Sequence, residues 1–273
     1  MKYRHYLFSG PKEGLEILSA FLFEDGFEGV AELGAQLEAY TRVDNEHALL
    51  SDDTRTLIEN FNIQHSQKLI EDSNWNAKWE SSFEPIHVPG GCMIRASHHP
   101  VSPDVKFDIL IQPKMSFGTG HHPTTYLMVE EMLQHDFDGL SVFDYGTGTG
   151  VLAVLAEKMG AASIFAVDID ENSIDNVAEN IALNQCKCIS FELGGIERVG
   201  TNQYSIVLAN ITRNTLLDNW RQLYQTIADN GLLMISGFYK EDIQYFEAQA
   251  AESGLTLQQK REKDNWLMMT FKK

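Results

Sequence analysis

Cysteine is scarce in this chain: among 273 residues there are three, Cys92, Cys186 and Cys188. Three thiols, two of them at an i,i+2 spacing, make neither a disulfide framework nor a zinc knuckle, which needs two paired clusters. Buried, reduced thiols are expected. Basic residues are also few, 21 Lys and Arg against 39 Asp and Glu, for a net charge of −18. A surface this acidic repels phosphates unless its cations cluster. The densest group, Lys260-Arg261-Glu262-Lys263, contains its own acid, so direct nucleic-acid binding is excluded and a basic partner is favoured. Long apolar runs are missing too. Val151 to Ala156 is among the longest, against the roughly 20 residues that cross a bilayer. The first ten residues hold no apolar signal core. No membrane association and a cytoplasmic location are therefore expected.

What is present is an ordinary globular composition, 43% hydrophobic and 22% charged, which argues against wholesale disorder. Residues 1–66 read as βαββαβ: an aromatic strand at 3–8, a helix at 13–24 with Leu15, Leu18, Phe21 and Leu22 on one face, a hairpin at 27–43, a weaker helix at 47–60 and a closing strand at 63–70. That order is the split βαβ pattern of a small ferredoxin-like α+β domain. A linker is placed at 67–75. Trp75, Trp79 and Phe83 then recur at i, i+4 and i+8, an aromatic stripe on a helix whose plainest use is core packing.

From residue 123 onward strands and helices alternate. Strands are expected at 141–144, 163–167, 188–192, 205–209, 232–236, 255–260 and 266–271. Helices fall between them, including one at 171–184 with Ile174, Val177, Ala178 and Ile181 inward. A long helix is expected to carry Leu216, Trp220, Leu223 and Ile227. Such alternation makes an α/β doubly wound, mostly parallel sheet over residues 76–273. Ligands on these sheets bind at the carboxyl ends of the strands.

Four segments lie at such ends. Val142-Phe143-Asp144-Tyr145-Gly146-Thr147-Gly148-Thr149-Gly150 runs from a buried strand through a glycine turn into a helix. Glycines let a ligand lie against the backbone. The nicotinamide fingerprint would put its third glycine at 151, where this chain has Val; the third glycine at 150 gives the spacing typical of S-adenosylmethionine enzymes. Asp168 ends the next strand, where a carboxylate accepts the two ribose hydroxyls of either cofactor kind. Asp170 suits the N-cap of the following helix. Asn210 ends the strand at 205–209. Its amide could orient an amine or cap the next helix, and the residues alone leave both open. Finally, Phe117-Gly118-Thr119-Gly120-His121-His122-Pro123-Thr124-Thr125 forms a glycine loop before a helix begun by Pro123. Its adjacent histidines point apart and no third ligand stands at chelating spacing, which excludes a metal site.

Over residues 72–273 these segments resemble the PrmA family, the class I S-adenosylmethionine-dependent methyltransferases of ribosomal large-subunit protein eleven. The glycine-histidine loop is the specific part, joined by the Gly146 turn, Val167-Asp168-Ile169-Asp170 and Ala209-Asn210-Ile211. The resemblance implies transfer of methyl groups from S-adenosylmethionine to lysine side chains, and to the N-terminal amine, of that ribosomal protein. It implies cofactor contacts at Thr125, Gly146, Asp168 and Asn210; the geometry of the turn adds Gly148 and Asp144. It gives Asn210 a second task, positioning the amine. Residues 1–66 resemble the family's substrate-recognition domain in element order.

Two departures fall on the substrate side: Ile211-Thr212-Arg213-Asn214 follows Asn210 where members often have Leu-Ala-Gly-Pro, and Thr147 replaces a frequent Cys. Other readings are a methyltransferase for a different protein lysine or small molecule, an adenosine-cofactor oxidoreductase, and a non-catalytic binding protein. The charge of −18 suits a free, basic ribosomal protein better than one assembled on RNA.

Overall fold

The structure is a computed structural model, and it describes residues 3–27, 29–33, 36–43, 50–70, 83–112 and 118–273. The chain divides into two compact units, Met1–Trp79 and Glu80–Lys273. Trp75 and Trp79 of the expected aromatic stripe lie outside the described residues; Phe83 is buried.

The first unit runs β1 (Tyr3–Ser9), α1 (Lys12–Glu24), β2 (Gly29–Leu33), β3 (Gln36–Arg42), α2 (Asp52–Asn60) and β4 (Gln64–Ile70). Its strands lie in the order β2-β3-β1-β4, and every pairing is antiparallel. The α+β order expected for this half is therefore observed. Leu15, Leu18 and Leu22, at helical spacing on α1, close over Tyr6, Phe8, Leu37 and Ala39 of the central strands. α2 begins at Asp52, later than expected, because Ser51 caps it: its hydroxyl accepts the Thr54 amide at 3.2 Å. Residues 47–49 of the expected helix lie outside the described residues. β4 extends to Ile70, into the stretch expected as linker; residues 71–75 of that stretch are not described.

The second unit opens with a three-stranded sheet of β5 (Ile86–Val88), β6 (Cys92–Arg95) and β7 (Phe107–Leu110). Then follow α3 (Pro123–Met132), β8 (Ser141–Tyr145), α4 (Val151–Lys158), β9 (Ser163–Asp168), α5 (Glu171–Leu183), β10 (Ile189–Leu193) and β11 (Tyr204–Asn210). The chain continues with α6 (Arg213–Asp218), α7 (Trp220–Thr226), β12 (Ile227–Tyr239), α8 (Ile243–Ser253), β13 (Thr256–Lys263) and β14 (Trp266–Lys272). Seven strands form one sheet in the order β10-β9-β8-β11-β12-β14-β13. β8 to β12 pair in parallel; β14 runs antiparallel between β12 and β13. This is the doubly wound, mostly parallel sheet read from the alternation.

Strands buried on both faces read as continuous apolar runs, as in Ile206-Val207-Leu208-Ala209, all buried. One core packs α3 and α4 against one face, and the other gathers Trp220, Leu223, Phe238 and Phe246. The order reverses between β8 and β11, the switch point where such sheets bind ligands. Among the described residues no helix is long and apolar enough to cross a membrane.

Three expectations are corrected. The long helix carrying Leu216, Trp220, Leu223 and Ile227 is two short ones. It breaks at Asn219, whose side chain donates to the Thr215 carbonyl at 2.8 Å and so competes with the helical ladder. Ile227 belongs to β12 instead.

On α5 the inward residues are chiefly polar: Ser173, Asn176 and Asn180 are buried with Val177, whereas Ile174, Ala178 and Ile181 are half-buried. Asn180 Nδ2 donates to the Thr149 carbonyl at 2.7 Å and its Oδ1 accepts the Gln112 amide at 2.7 Å. Asn184 holds Leu110 through both backbone groups. These amides stitch the exit of the glycine turn to the end of β7.

Finally, of the three unpaired thiols only Cys92 is fully buried, and burial pushes it up to about 12; Cys188 is exposed.

Candidate active site

The site is built by register. Tyr145 stands opposite Val167 on β9 and Ala209 on β11, so Gly146, Asp168 and Asn210 follow on one level, one step past three adjacent strand ends. β12 adds Ser236 opposite Asn210. A cavity of about 530 Å³ opens along this row, within the usual size of a small-molecule site. Gly146, Gly148, Asp168 and Asn210 line its floor; Tyr145, Ile169, Ile211 and Trp266 supply apolar wall, and His122 and Thr124 come from the start of α3.

Gly146 has φ 73°, and a Cβ there would collide with Ile211 Cγ2. The same isoleucine is pinned from the other side, where a Cβ on Gly237 (φ 101°) would strike its carbonyl oxygen. The backbone at the turn is thus closed to any side chain.

Asp168 holds the turn in place. Its Oδ2 accepts the Gly148 amide at 2.8 Å and its Oδ1 the Asp170 amide at 3.0 Å. Asp170 caps α5 by accepting the Asn172 amide.

Asn210 is buried. Its Nδ2 donates to the Thr125 hydroxyl at 3.1 Å, while its Oδ1 is buried without a hydrogen-bond partner. Asn210 is therefore no helix cap; Thr212 occupies the position before α6. An unsatisfied buried acceptor costs on the order of 1–3 kcal/mol, and this oxygen is chemically able to accept an N–H. Thr125 is fully buried behind Asn210 and does not itself line the cavity.

Asp144 lies deeper, wholly buried one residue before the cavity wall. Its Oδ2 accepts the Thr147 hydroxyl at 2.6 Å and its Oδ1 has no partner. Burial pushes its carboxyl up to about 7; the nearby Asp168 adds to this, and the Thr147 bond and the Ala153 amide oppose it.

The two histidines separate. His121 packs edge-on against Phe83 with ring centres 4.7 Å apart and does not line the cavity. His122 does, and partial burial lowers its pKa. Its Nδ1 accepts the Thr124 amide at 3.3 Å, capping α3. With Nδ1 accepting, the neutral ring carries its proton on Nε2. Its ring meets Trp266 in a T-shaped contact, centres 4.6 Å apart, and Trp266 in turn meets Tyr239 at 4.1 Å. Trp266 escaped the sequence reading because it lies far from every motif along the chain; its only signal is an aromatic opening a strand next to the turn Asp264-Asn265.

A second anchor was also missed. Buried Glu131 on α3 accepts from Arg261 Nε at 2.6 Å and from the Thr270 hydroxyl at 3.0 Å, and lies 2.9 Å from His135 Nε2. Burial alone would raise its carboxyl, but these three partners hold it down at about 2. The cluster fastens α3 to β13 and β14.

A parallel switch-point cavity with a naked glycine turn, an acid ending the second strand and an orphaned amide oxygen ending the fourth fits a nucleoside carrying an amino-acid tail. The fold and site define a class I S-adenosylmethionine-dependent methyltransferase. A family profile described as "Ribosomal protein L11 methyltransferase (PrmA)" matches residues 19–273, and the chain belongs to that family. A protein named ribosomal protein L11 methyltransferase from Porphyromonas gingivalis is 39% identical, with 99% of this chain and 98% of that protein aligned. Its namesake from Phocaeicola vulgatus is 36% identical over 94% and 92%. The crystal structure of a ribosomal protein L11 methylase from Lactobacillus delbrueckii subsp. bulgaricus superposes with a TM-score of 0.64 at 28% identity, covering 69% of this chain and 98% of that one.

Proposed function

We propose that the protein methylates ribosomal protein L11 on amino groups, lysine side chains and the N-terminal amine, and that it acts on the free protein in the cytoplasm. The observation that carries this reading is Asn210 Oδ1: a buried acceptor without a partner, level with Gly146 and Asp168 on the cavity floor. Gly146, Gly148 and Asp168 hold the cofactor's nucleoside and tail, Thr125 fixes the Asn210 amide, and Asp144 supports the turn from beneath. When bound, the cofactor supplies a methyl group on a positively charged sulfur, ready for in-line displacement.

The chain's own residues do the rest by positioning. Thr125 takes the Asn210 NH2, so the amide oxygen is the end left to receive an amine N–H. A lysine with its ordinary pKa of about 10.4 enters protonated and cannot attack. Trp266, Ile169, Ile211 and Tyr145 make the cavity wall apolar, which disfavours the ammonium and lowers that pKa. His122, with its proton on Nε2, is suited to donate rather than to receive, so the amine passes its proton to water. Residues 1–66 recognise the substrate. The acidic chain, at −18, attracts a basic ribosomal protein and repels RNA-covered particles.

Radiolabelled S-adenosylmethionine incubated with purified L11 tests this reading. Label is expected in free L11, faster than in intact ribosomal subunits. Asn210→Ala is expected to lower turnover on the order of a hundredfold with an unchanged circular-dichroism spectrum, as loss of a positioning contact does. An unlabelled L11 beside another labelled protein, or near-normal turnover in the variant, would refute it.

A further inference from the structure

Asp144 carries more than a supporting role. A wholly buried carboxylate normally needs two or three donors or a cation to remain ionised. Here one oxygen takes the Thr147 hydroxyl, the Ala153 amide at the start of α4 adds a weaker backbone contribution, and Oδ1 has no partner of full hydrogen-bond geometry. Apart from the amides at the start of α4, the described elements packed around it offer no charged side chain of positive sign. Over its first six residues, Val151 to Ala156, α4 is apolar and buried, and the flanking strands place Ala166 and Leu208 beside it. On α3 the titratable groups are His122 at the cap, Tyr126, Glu130 and Glu131, the last two engaged by Arg261. The charge that acts on Asp144 is another anion, Asp168. The site thus has two carboxylates bracketing one glycine turn, Asp144 through Thr147 and Asp168 through Gly148, and among the described residues no cation compensates the deeper one.

The cofactor has the missing charge. S-adenosylmethionine carries one positive charge more than its product, S-adenosylhomocysteine, and the two are otherwise nearly the same shape. We propose that Asp144 is the residue that tells them apart: it is partly protonated in the free protein, releases that proton to solvent when the sulfonium cofactor enters, and retains it when the neutral-sulfur product occupies the same cavity. Methyl transfer then removes the positive charge, Asp144 takes a proton back from water, and the product loses the attraction that held its precursor. This rests on the assignment of the cavity to the cofactor.

Near neutrality the carboxyl, pushed up to about 7, is balanced between its two forms, so both ligands can shift it. The sign follows from linkage: a ligand that favours the ionised form binds more tightly as pH rises, and the gain ends once the free protein is itself ionised. For one fully coupled proton, affinity for S-adenosylmethionine tightens about tenfold between about pH 6 and pH 8. Affinity for S-adenosylhomocysteine changes little. His122 titrates below its ordinary value, so its contribution falls lower on the pH scale and is shared by both ligands.

Isothermal titration calorimetry near pH 7, in two buffers of unlike ionisation enthalpy, reads the protons directly. S-adenosylmethionine is expected to release about half a proton more than S-adenosylhomocysteine, the fraction of a group poised at its midpoint. Asp144→Asn is expected to abolish that difference and to flatten the pH dependence. Should Asp144→Asn fail to fold, Thr147→Val serves: it removes the donor that stabilises the ionised form, and the half-release point moves to higher pH. Equal release by the two ligands in the native protein, an unaltered difference in Asp144→Asn, or an unmoved midpoint in Thr147→Val would each overturn the proposal. If neither ligand binds the native protein at all, the cavity assignment itself falls, and this inference with it.

Discussion

The floor and the mouth of the cavity are held by different physics. On the floor, Gly146, Asp168 and Asn210 are placed by the register of three parallel strands, and the Asp168 and Asn210 side chains are fixed by bonds to the Gly148 amide and to Thr125. At the mouth, Ile169 is 79% exposed and Tyr239 50% exposed, and Trp266 meets Tyr239 on one side and His122 on the other through ring contacts, with His122 itself held by Thr124. The floor cannot shift without breaking the sheet. The contact between Trp266 and Tyr239 can give at less cost, since an aromatic contact is worth roughly 0.5–1.5 kcal/mol. A rigid floor suits a ligand that is always the same, and a softer rim suits one that varies.

The contrast can be broken experimentally, and the floor should yield the largest effect. Gly146→Ala places a methyl group against Ile211 in a backbone region that L-residues rarely adopt. Affinity for S-adenosylmethionine is expected to fall at least about a hundredfold, since strain and clash together exceed roughly 3 kcal/mol; calorimetric binding near the native value would mean that Ile211 moves freely.

The anchor of the mouth comes next. Glu131→Gln removes a buried charge from between Arg261, His135 and Thr270, and is expected to cost on the order of 3 kcal/mol at neutral pH. A carboxyl held at about 2 contributes stability above its unfolded value and loses it as pH falls toward 2. The difference between native and variant denaturation midpoints should therefore shrink in acid; a difference independent of pH would remove the electrostatic explanation.

The smallest effect belongs to the rim. Tyr239→Ala is expected to raise the KM for L11 a few-fold through lost ring stacking and to leave cofactor affinity within about twofold. A cofactor defect larger than the substrate defect would show that floor and mouth are not separable.

The floor was also the more legible part. Runs such as Val142-Phe143 and Ile206 to Ala209 announce strands buried on both faces, and motifs placed at their ends mark Gly146, Asp168 and Asn210. Thr125 was legible only through the glycine-histidine loop that resembles the family. The mouth was not legible, because Trp266 reaches His122 through sheet topology: β14 inserts beside β12, and no local spacing encodes that. The asparagines of α5 were missed for another reason. At 176, 180 and 184 they keep perfect i, i+4, i+8 spacing, but a periodicity argument counts apolar residues, and the apolar set on this helix points elsewhere. Helical spacing of amides, read as a buried polar seam, was the available signal. The break at Asn219 hides in the same way, since its cause is a side-chain bond rather than a composition change.

The insertion of β14 between β12 and β13 bears on how the protein is made. β13 leaves the ribosome before β14, yet it has no strand to pair with until β14 has arrived, because its hydrogen-bonded neighbour in the sheet is β14 alone. The glycine turn, Asp168 and Asn210 all precede both strands and can assemble on the parallel half as it emerges, since domains fold during synthesis. Trp266 and two partners of Glu131, Arg261 and Thr270, come last. A nascent chain can therefore hold a nearly complete cofactor floor while lacking its aromatic rim, so the order of translation delays completion of the methylating site until synthesis has passed β14.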